Sequence, residues 1–115
     1  MLIGKQRIYT VVLPPQEKQR IADFLLGSVY CWCKTKKDVP FNLQLLLGGE
    51  NKDWTGTPLL FLFERLLNRD RSNGNEAYEQ AAKDAGRLLK ELLANNEFRS
   101  FETFVERTRY YRWVP

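Results

Sequence analysis

The chain contains no histidine and so lacks the side chain most often used as general base, proton shuttle or metal ligand near neutral pH. It has two cysteines, Cys31 and Cys33, which with no histidine beside them cannot complete the four nitrogen or sulfur ligands of a structural zinc site. On a helix, positions two apart point to different sides, so the pair reads as two small apolar residues flanking Trp32. A metal site built from them would need a second copy of the chain. No metal and no cofactor is expected. Long apolar runs are also missing. Pro58 to Phe63 is followed at once by Glu64 and Arg65, far short of the ~20 residues that a bilayer requires. Lys5 and Arg7 interrupt the apolar residues of the first segment, and no small-residue cleavage site follows, so the expected setting is cytoplasmic, without a membrane partner. There is no internal repeat and no low-complexity block, which sets aside solenoid and linker architectures.

Catalytic patterns are absent as well. The carboxylates are scattered, with no spacing that brings two into one cleft. Gly48-Gly49 is followed by Glu50 and Asn51 rather than by the Gly-Lys-Ser/Thr ending of a phosphate-cradling loop. Ser28 falls inside a helical pattern, without a sharp-turn motif or a histidine partner. The expectation is a protein that is not an enzyme.

The remaining composition favours folding. Among the 115 residues, 43% are hydrophobic and 28% charged, an ordinary globular mixture in a length that suits a single domain over residues 1–115. The net charge of +4 favours anionic partners.

Patterning predicts a mainly α chain with a small β component, an α+β domain. Arg7 to Leu13 is rich in β-branched and aromatic residues and stops at Pro14-Pro15, which predicts an N-terminal strand. Pro15 then suits the first turn of a helix, and Ile21, Phe24, Leu25, Ser28, Val29 and Trp32 form its apolar stripe to about Lys34. After a break at Val39-Pro40, Phe41 to Leu47 fits either a short strand or a helix start, ended by Gly48-Gly49. Asn51 to Gly56 reads as a loop. Thr57 as cap and Pro58 as first residue predict a second helix to about Asn68, apolar on nearly every side and therefore central. Arg69 to Asn75 has loop composition, with Asn75 placed to cap a third helix that runs to about Asn95. That helix begins with small residues on its stripe (Ala81, Ala82, Ala85), which allow close approach of another helix. Gly86 lies in its interior, where glycine costs roughly 1 kcal/mol relative to alanine; packing or a closely approaching partner would offset this.

The tail from Phe98 to Pro115 interleaves Phe101, Phe104, Tyr110, Tyr111 and Trp113 with Arg99, Arg107, Arg109 and Arg112, and predicts a β-hairpin. Exposed, such a combination offers phosphate contacts and flat stacking surfaces. Buried, the same aromatics would belong to the core of a closing strand with the arginines solvated. Lys34, Lys36 and Lys37 and Arg65, Arg69 and Arg71 read as solvated helix ends. Lys83, Arg87 and Lys90 could line one edge of the third helix, diluted by Glu79, Asp84 and Glu91.

The order strand, helix, extended segment, helix, loop, helix and aromatic-basic hairpin resembles a winged helix-turn-helix domain. Thr57 to Asn68 correspond to the supporting helix, Asn75 to Asn95 to the second helix of the pair, and Phe98 to Pro115, with "RTRYYRWVP" as returning strand, to the wing. The resemblance implies a three-helix core with an N-terminal strand, and a non-enzymatic, regulatory nucleic-acid-binding function. The second helix would enter the major groove through Gln80, Lys83, Asp84 and Arg87, and the wing residues Arg107, Arg109 and Arg112 would hold phosphates, with an affinity that falls steeply as salt rises. The competing expectation is a protein-interaction or self-association module, including a homodimer. An aromatic edge strand and the small-residue face of the third helix are its candidate surfaces, and the near-balance of acids and bases on that helix favours it.

Overall fold

The computed structural model describes residues 1–49, 53–70 and 74–115, with the side chains of 68–70 and 74–75 excepted. The elements are α1 (Pro15–Lys36), α2 (Leu43–Leu46), α3 (Leu60–Asp70), α4 (Gly74–Ala94), β1 (Ser100–Glu106) and β2 (Thr108–Val114). This is the mixed α+β class that patterning predicts. Among the described residues the one sheet is the antiparallel pair β1–β2, and no helix is long and apolar enough to cross a membrane.

The local causes of α1 are those expected: proline at its start, Glu17 in its first turn, Lys34 and Lys36 in its last. Its buried side is Ile21, Ala22, Leu25, Val29 and Cys33. Cys33 therefore enters the core where the apolar stripe placed Trp32. Trp32 stays half-buried, and its indole N–H donates to the Val39 carbonyl at 2.8 Å. Cys31 is exposed on another side of the helix.

The ambiguous segment at 41–47 is both of its alternatives in turn. Phe41 exchanges two backbone hydrogen bonds of 2.8 Å with Tyr111. Asn42 then caps the single turn of α2, its side-chain oxygen accepting from the Leu45 N–H at 2.8 Å. Gly48 and Gly49, at φ 89° and 111°, end it in the left-handed region that favours glycine.

α3 begins two residues after Pro58. The Thr57 hydroxyl donates to the Trp54 carbonyl at 2.9 Å, closing a preceding turn instead of capping the helix. The expected central helix is one-sided: Leu62 and Leu66, with Leu59 just ahead, are buried, while Leu60, Phe61, Phe63 and Leu67 are only half-buried. The helix signature is apolar all round, but α3 packs chiefly against α4, so its other sides stay partly exposed. The expected loop 69–75 is shorter, since α3 reaches Asp70 and α4 starts at Gly74, which puts Asn75 inside the helix and not at its cap; residues 71–73 lie outside what is described.

On α4 the small face Ala77, Ala81 and Ala85 is buried, and the helix packs against α3. Arg65 crosses from α3 to the buried Asp84 at 2.6 Å. Ala81 and Ala85 of the small-residue stripe are thus used internally, while Ala82 and Gly86 stay half-buried.

The predicted strand at Arg7–Leu13 does not form. The segment has no regular secondary structure, and the strand-like contact of the N-terminus is instead a parallel bridge from Leu2 to Phe101. Leu13 is buried and Val12 exposed, and the anchor of the segment is a side chain: the Val11 N–H donates to Glu91 on α4 at 3.3 Å.

In the hairpin, register pairs Phe101 with Trp113, Thr103 with Tyr111 and Val105 with Arg109 on one face, and Glu102 with Arg112 and Phe104 with Tyr110 on the other. The first face turns inward. Phe101 and Tyr111 are buried beside Phe41, with ring centres 6.1 and 5.8 Å from it. Burying each such side chain contributes about 1.5–3 kcal/mol, which fixes the hairpin, and through Phe41 the start of α2, to the helical core.

Candidate functional site

A groove of about 570 Å³ opens between α4 and β2. Ala82, Lys83, Gly86, Arg87, Leu89 and Lys90 form the α4 wall, Thr108, Arg109 and Tyr111 the β2 wall, Asn42 to Gln44 one end, and Arg7 and Tyr9 part of the rim. Each wall is set by a contact already described. The Phe41–Tyr111 bridge holds α2 against β2, and the Asn42 side-chain amide adds a hydrogen bond to the Thr108 hydroxyl at 3.1 Å. Glu91 holds the N-terminal segment against α4, which brings Arg7 and Tyr9 to the rim. The guanidiniums of Arg7 and Arg87 lie 5.3 and 5.0 Å from the Tyr9 ring centre, a cation–π contact at each.

The electrostatics follow from where α4 sends its acids. Asp84 pairs with Arg65, and Glu91 with Lys18 at 2.9 Å. Both are buried and neither lines the groove. Lys83, Arg87 and Lys90, spaced four and three residues apart, share the remaining edge. Among the described residues none of these three, nor Arg7 or Arg109, makes an ion pair, and no residue lining the groove is acidic. Five cations thus surround a wall with an apolar base of Leu43, Leu89 and Tyr111. Burial, and then the charge of Arg109, hold the Lys90 ammonium below its ordinary value of 10.5: each cation raises the cost of its neighbour's charge. An anion in the groove would remove that cost.

The predicted contact residues separate in space. Lys83, Arg87 and Arg109 line the groove together. Arg109 also donates to the Thr103 hydroxyl at 3.0 Å. Gln80 is exposed one turn away, and its amide donates to Asp84 at 3.2 Å. Asp84, expected to be exposed, is buried because Arg65 neutralises it there. Arg107 sits at the hairpin tip with φ 63°. Arg112 is on the outer face of the hairpin, ion-paired with Glu102, whose carboxyl it holds below the usual range. The strand period of two separates Arg112 from Arg109.

Sequence reasoning missed Arg7, Tyr9 and Thr108, and discounted Lys90. The 83–87–90 spacing was a usable signal. For Arg7 and Tyr9 there was none, since Glu91, which anchors their segment, is some 80 residues along the chain.

A second basic cleft lies between α1 and the hairpin, where Arg99 is 4.7 Å from the ring centres of both Tyr30 and Trp113 and Lys34 and Lys37 form the edge. Burial pushes the adjacent Cys33 thiol up, against the lowering effect of Arg99. Among the described residues no group of histidine, cysteine or carboxylate side chains is placed to hold a metal ion.

No family model matches this chain, and no curated protein and no solved structure resembles it closely enough to be matched.

Proposed function

We propose that the chain is a non-enzymatic nucleic-acid-binding protein of the cytoplasm that contacts phosphates through the basic groove between α4 and β2. The observation that carries this is the set Lys83, Arg87, Lys90 and Arg109 on facing walls which, among the described residues, hold no acid and give these cations no ion-pair partner. Unpaired cations at a concave surface concentrate anions there, and arginine guanidiniums suit phosphate oxygens. A winged-helix arrangement is compatible with the α3–α4 pair and the adjoining hairpin; in this reading α4 is the contact helix and β1–β2 the wing. Lys83 and Arg87 stand where such a helix would meet nucleic acid, and Arg109 where the wing would meet phosphate. The test is titration of a fluorescent oligonucleotide, single- and double-stranded, at about 50 and about 200 mM salt. Binding that weakens steeply with salt is expected, as is a shallower salt dependence in Arg87→Ala/Arg109→Ala, by about one unit of logarithmic slope per lost phosphate contact. No binding of either probe at the lower salt would end the proposal.

One observation favours a second reading, that of self-association. The outer hairpin face carries the stacked rings of Phe104, 39% exposed, and Tyr110, with centres 5.5 Å apart. Sedimentation across a concentration series decides it: a monomer throughout would remove this alternative.

A further inference from the structure

We infer that the groove takes an unpaired nucleotide of a single strand, its base over the apolar base of the groove and its phosphates on the surrounding cations. This rests on the nucleic-acid reading above and narrows it to one class of substrate, unlike the duplex that a winged helix implies.

Three features lead there. The first is size. A concavity of about 570 Å³ falls within the range of small-ligand pockets, roughly 300–1,000 Å³, and holds one nucleotide, whereas a duplex could only rest across its mouth. The second is chemistry. A duplex presents sugar and phosphate to a protein surface and keeps its base faces stacked, and taking a base out costs a few kcal/mol. Leu43 and Ala82, over the buried Leu89 and Tyr111, give the groove an aliphatic lining that offers a phosphate no donor. They suit the flat apolar face of a base that is already unstacked. The third is the Arg7–Tyr9–Arg87 group at the rim, with guanidinium-to-ring distances of 5.3 and 5.0 Å and Tyr9 half exposed. Aromatic rings and arginine planes are the two side-chain surfaces on which single-stranded bases stack.

Gly86 fits the same picture. A Cβ built there would meet nothing within 4 Å, so no neighbour within the chain requires glycine at this position in mid-helix. What its missing side chain leaves open is the groove wall, where a base would lie close to the backbone.

The experiment compares oligothymidylate, oligodeoxyadenylate and a duplex of equal length by fluorescence anisotropy at low salt, for the wild type and for Tyr9→Leu, Tyr9→Phe and Gly86→Leu. Single strands are expected to bind at least about 10-fold more tightly than duplex. Tyr9→Leu should weaken the single strand by roughly 5- to 150-fold, the range for loss of one stacked base, and Tyr9→Phe should restore it. Gly86→Leu, whose Cβ meets no neighbour within 4 Å, projects into the groove and should weaken the single strand more than the duplex. Melting curves check that each variant folds, and Gly86→Leu carries the comparison if Tyr9→Leu does not. Duplex binding equal to or tighter than single-strand binding would overturn the inference while leaving the nucleic-acid reading intact. Single-strand preference that survives both Tyr9→Leu and Gly86→Leu would also overturn it, because the preference would then arise elsewhere. Failure of every probe to bind would remove both.

Discussion

Two sides of α4 carry opposite charges and treat them in opposite ways. On one, Asp84 and Glu91 are buried and each is met by a cation from another helix, Arg65 from α3 and Lys18 from α1. On the other, Lys83, Arg87 and Lys90 line an open groove that holds no carboxylate among the described residues. Charges of the first kind hold elements together, because a buried ion left alone is costly. Those of the second kind make no ion pair among the described residues, Arg87 keeping only its contact with the Tyr9 ring, and are open to a ligand. Net charge along a helix cannot distinguish the two, and the helix that looks near neutral as a string is strongly one-sided as an object.

The largest effect expected on breaking this contrast is on stability. Arg65→Met leaves the Asp84 carboxylate buried without its cation, and should destabilise the chain by about 2–4 kcal/mol while changing oligonucleotide affinity at a folding temperature little. Urea denaturation followed by far-ultraviolet circular dichroism, with affinity measured in parallel, checks both. Arg87→Ala/Arg109→Ala should give the reverse, a stability within about 0.5 kcal/mol of wild type and a clear loss of affinity. If both variants lose stability and affinity together, the division between the two sides of α4 is wrong.

Gly86→Ala is expected to be smaller and of opposite sign. With open space around the added methyl group, helix propensity should raise stability by about 0.5–1 kcal/mol, visible as a higher urea midpoint at unchanged slope. A destabilised Gly86→Ala would mean that the wall of the groove is closed.

The smallest effect is the response to pH. Lys90 is held below its ordinary 10.5 by burial and by Arg109, so in the free protein it loses its proton earlier than in the unfolded chain. Stability therefore gains slightly as pH rises through that lowered value toward 10.5. A phosphate beside Arg109 and Lys90 favours the charged amine, so affinity should fall over the same alkaline window, and Lys90→Met should flatten the dependence. Titration at several pH values below 10.5 checks the sign.

How much of this was legible beforehand varied with the range of the interaction involved. The three long helices and the hairpin were readable, because Pro15, the apolar spacings and the Phe98–Pro115 alternation act locally. The fate of Arg7–Leu13 was not. Its β-branched residues encode an extended backbone, and whether that backbone pairs as a strand depends on neighbours far along the chain; here it meets the Glu91 carboxylate instead of a strand edge. Likewise α3 looked central from its composition, yet burial is decided by which helices flank it. For the site, Lys83, Arg87 and Arg109 were found from charge and position, and Arg112 was grouped with Arg109 although strand alternation separates them. The discounting of Lys90 had one cause: counting Asp84 and Glu91 against it without knowing that Arg65 and Lys18 neutralise them.

The most direct test of the account is a backbone amide chemical-shift map of the isotope-labelled protein titrated with a short oligothymidylate. Shifts concentrated at residues 7–9, 82–90 and 108–111 are the predicted result. Shifts centred instead on the Lys34–Lys37 end of α1 or on the outer hairpin face around Glu102 and Phe104 would contradict the assignment of the α4–β2 groove as the binding surface.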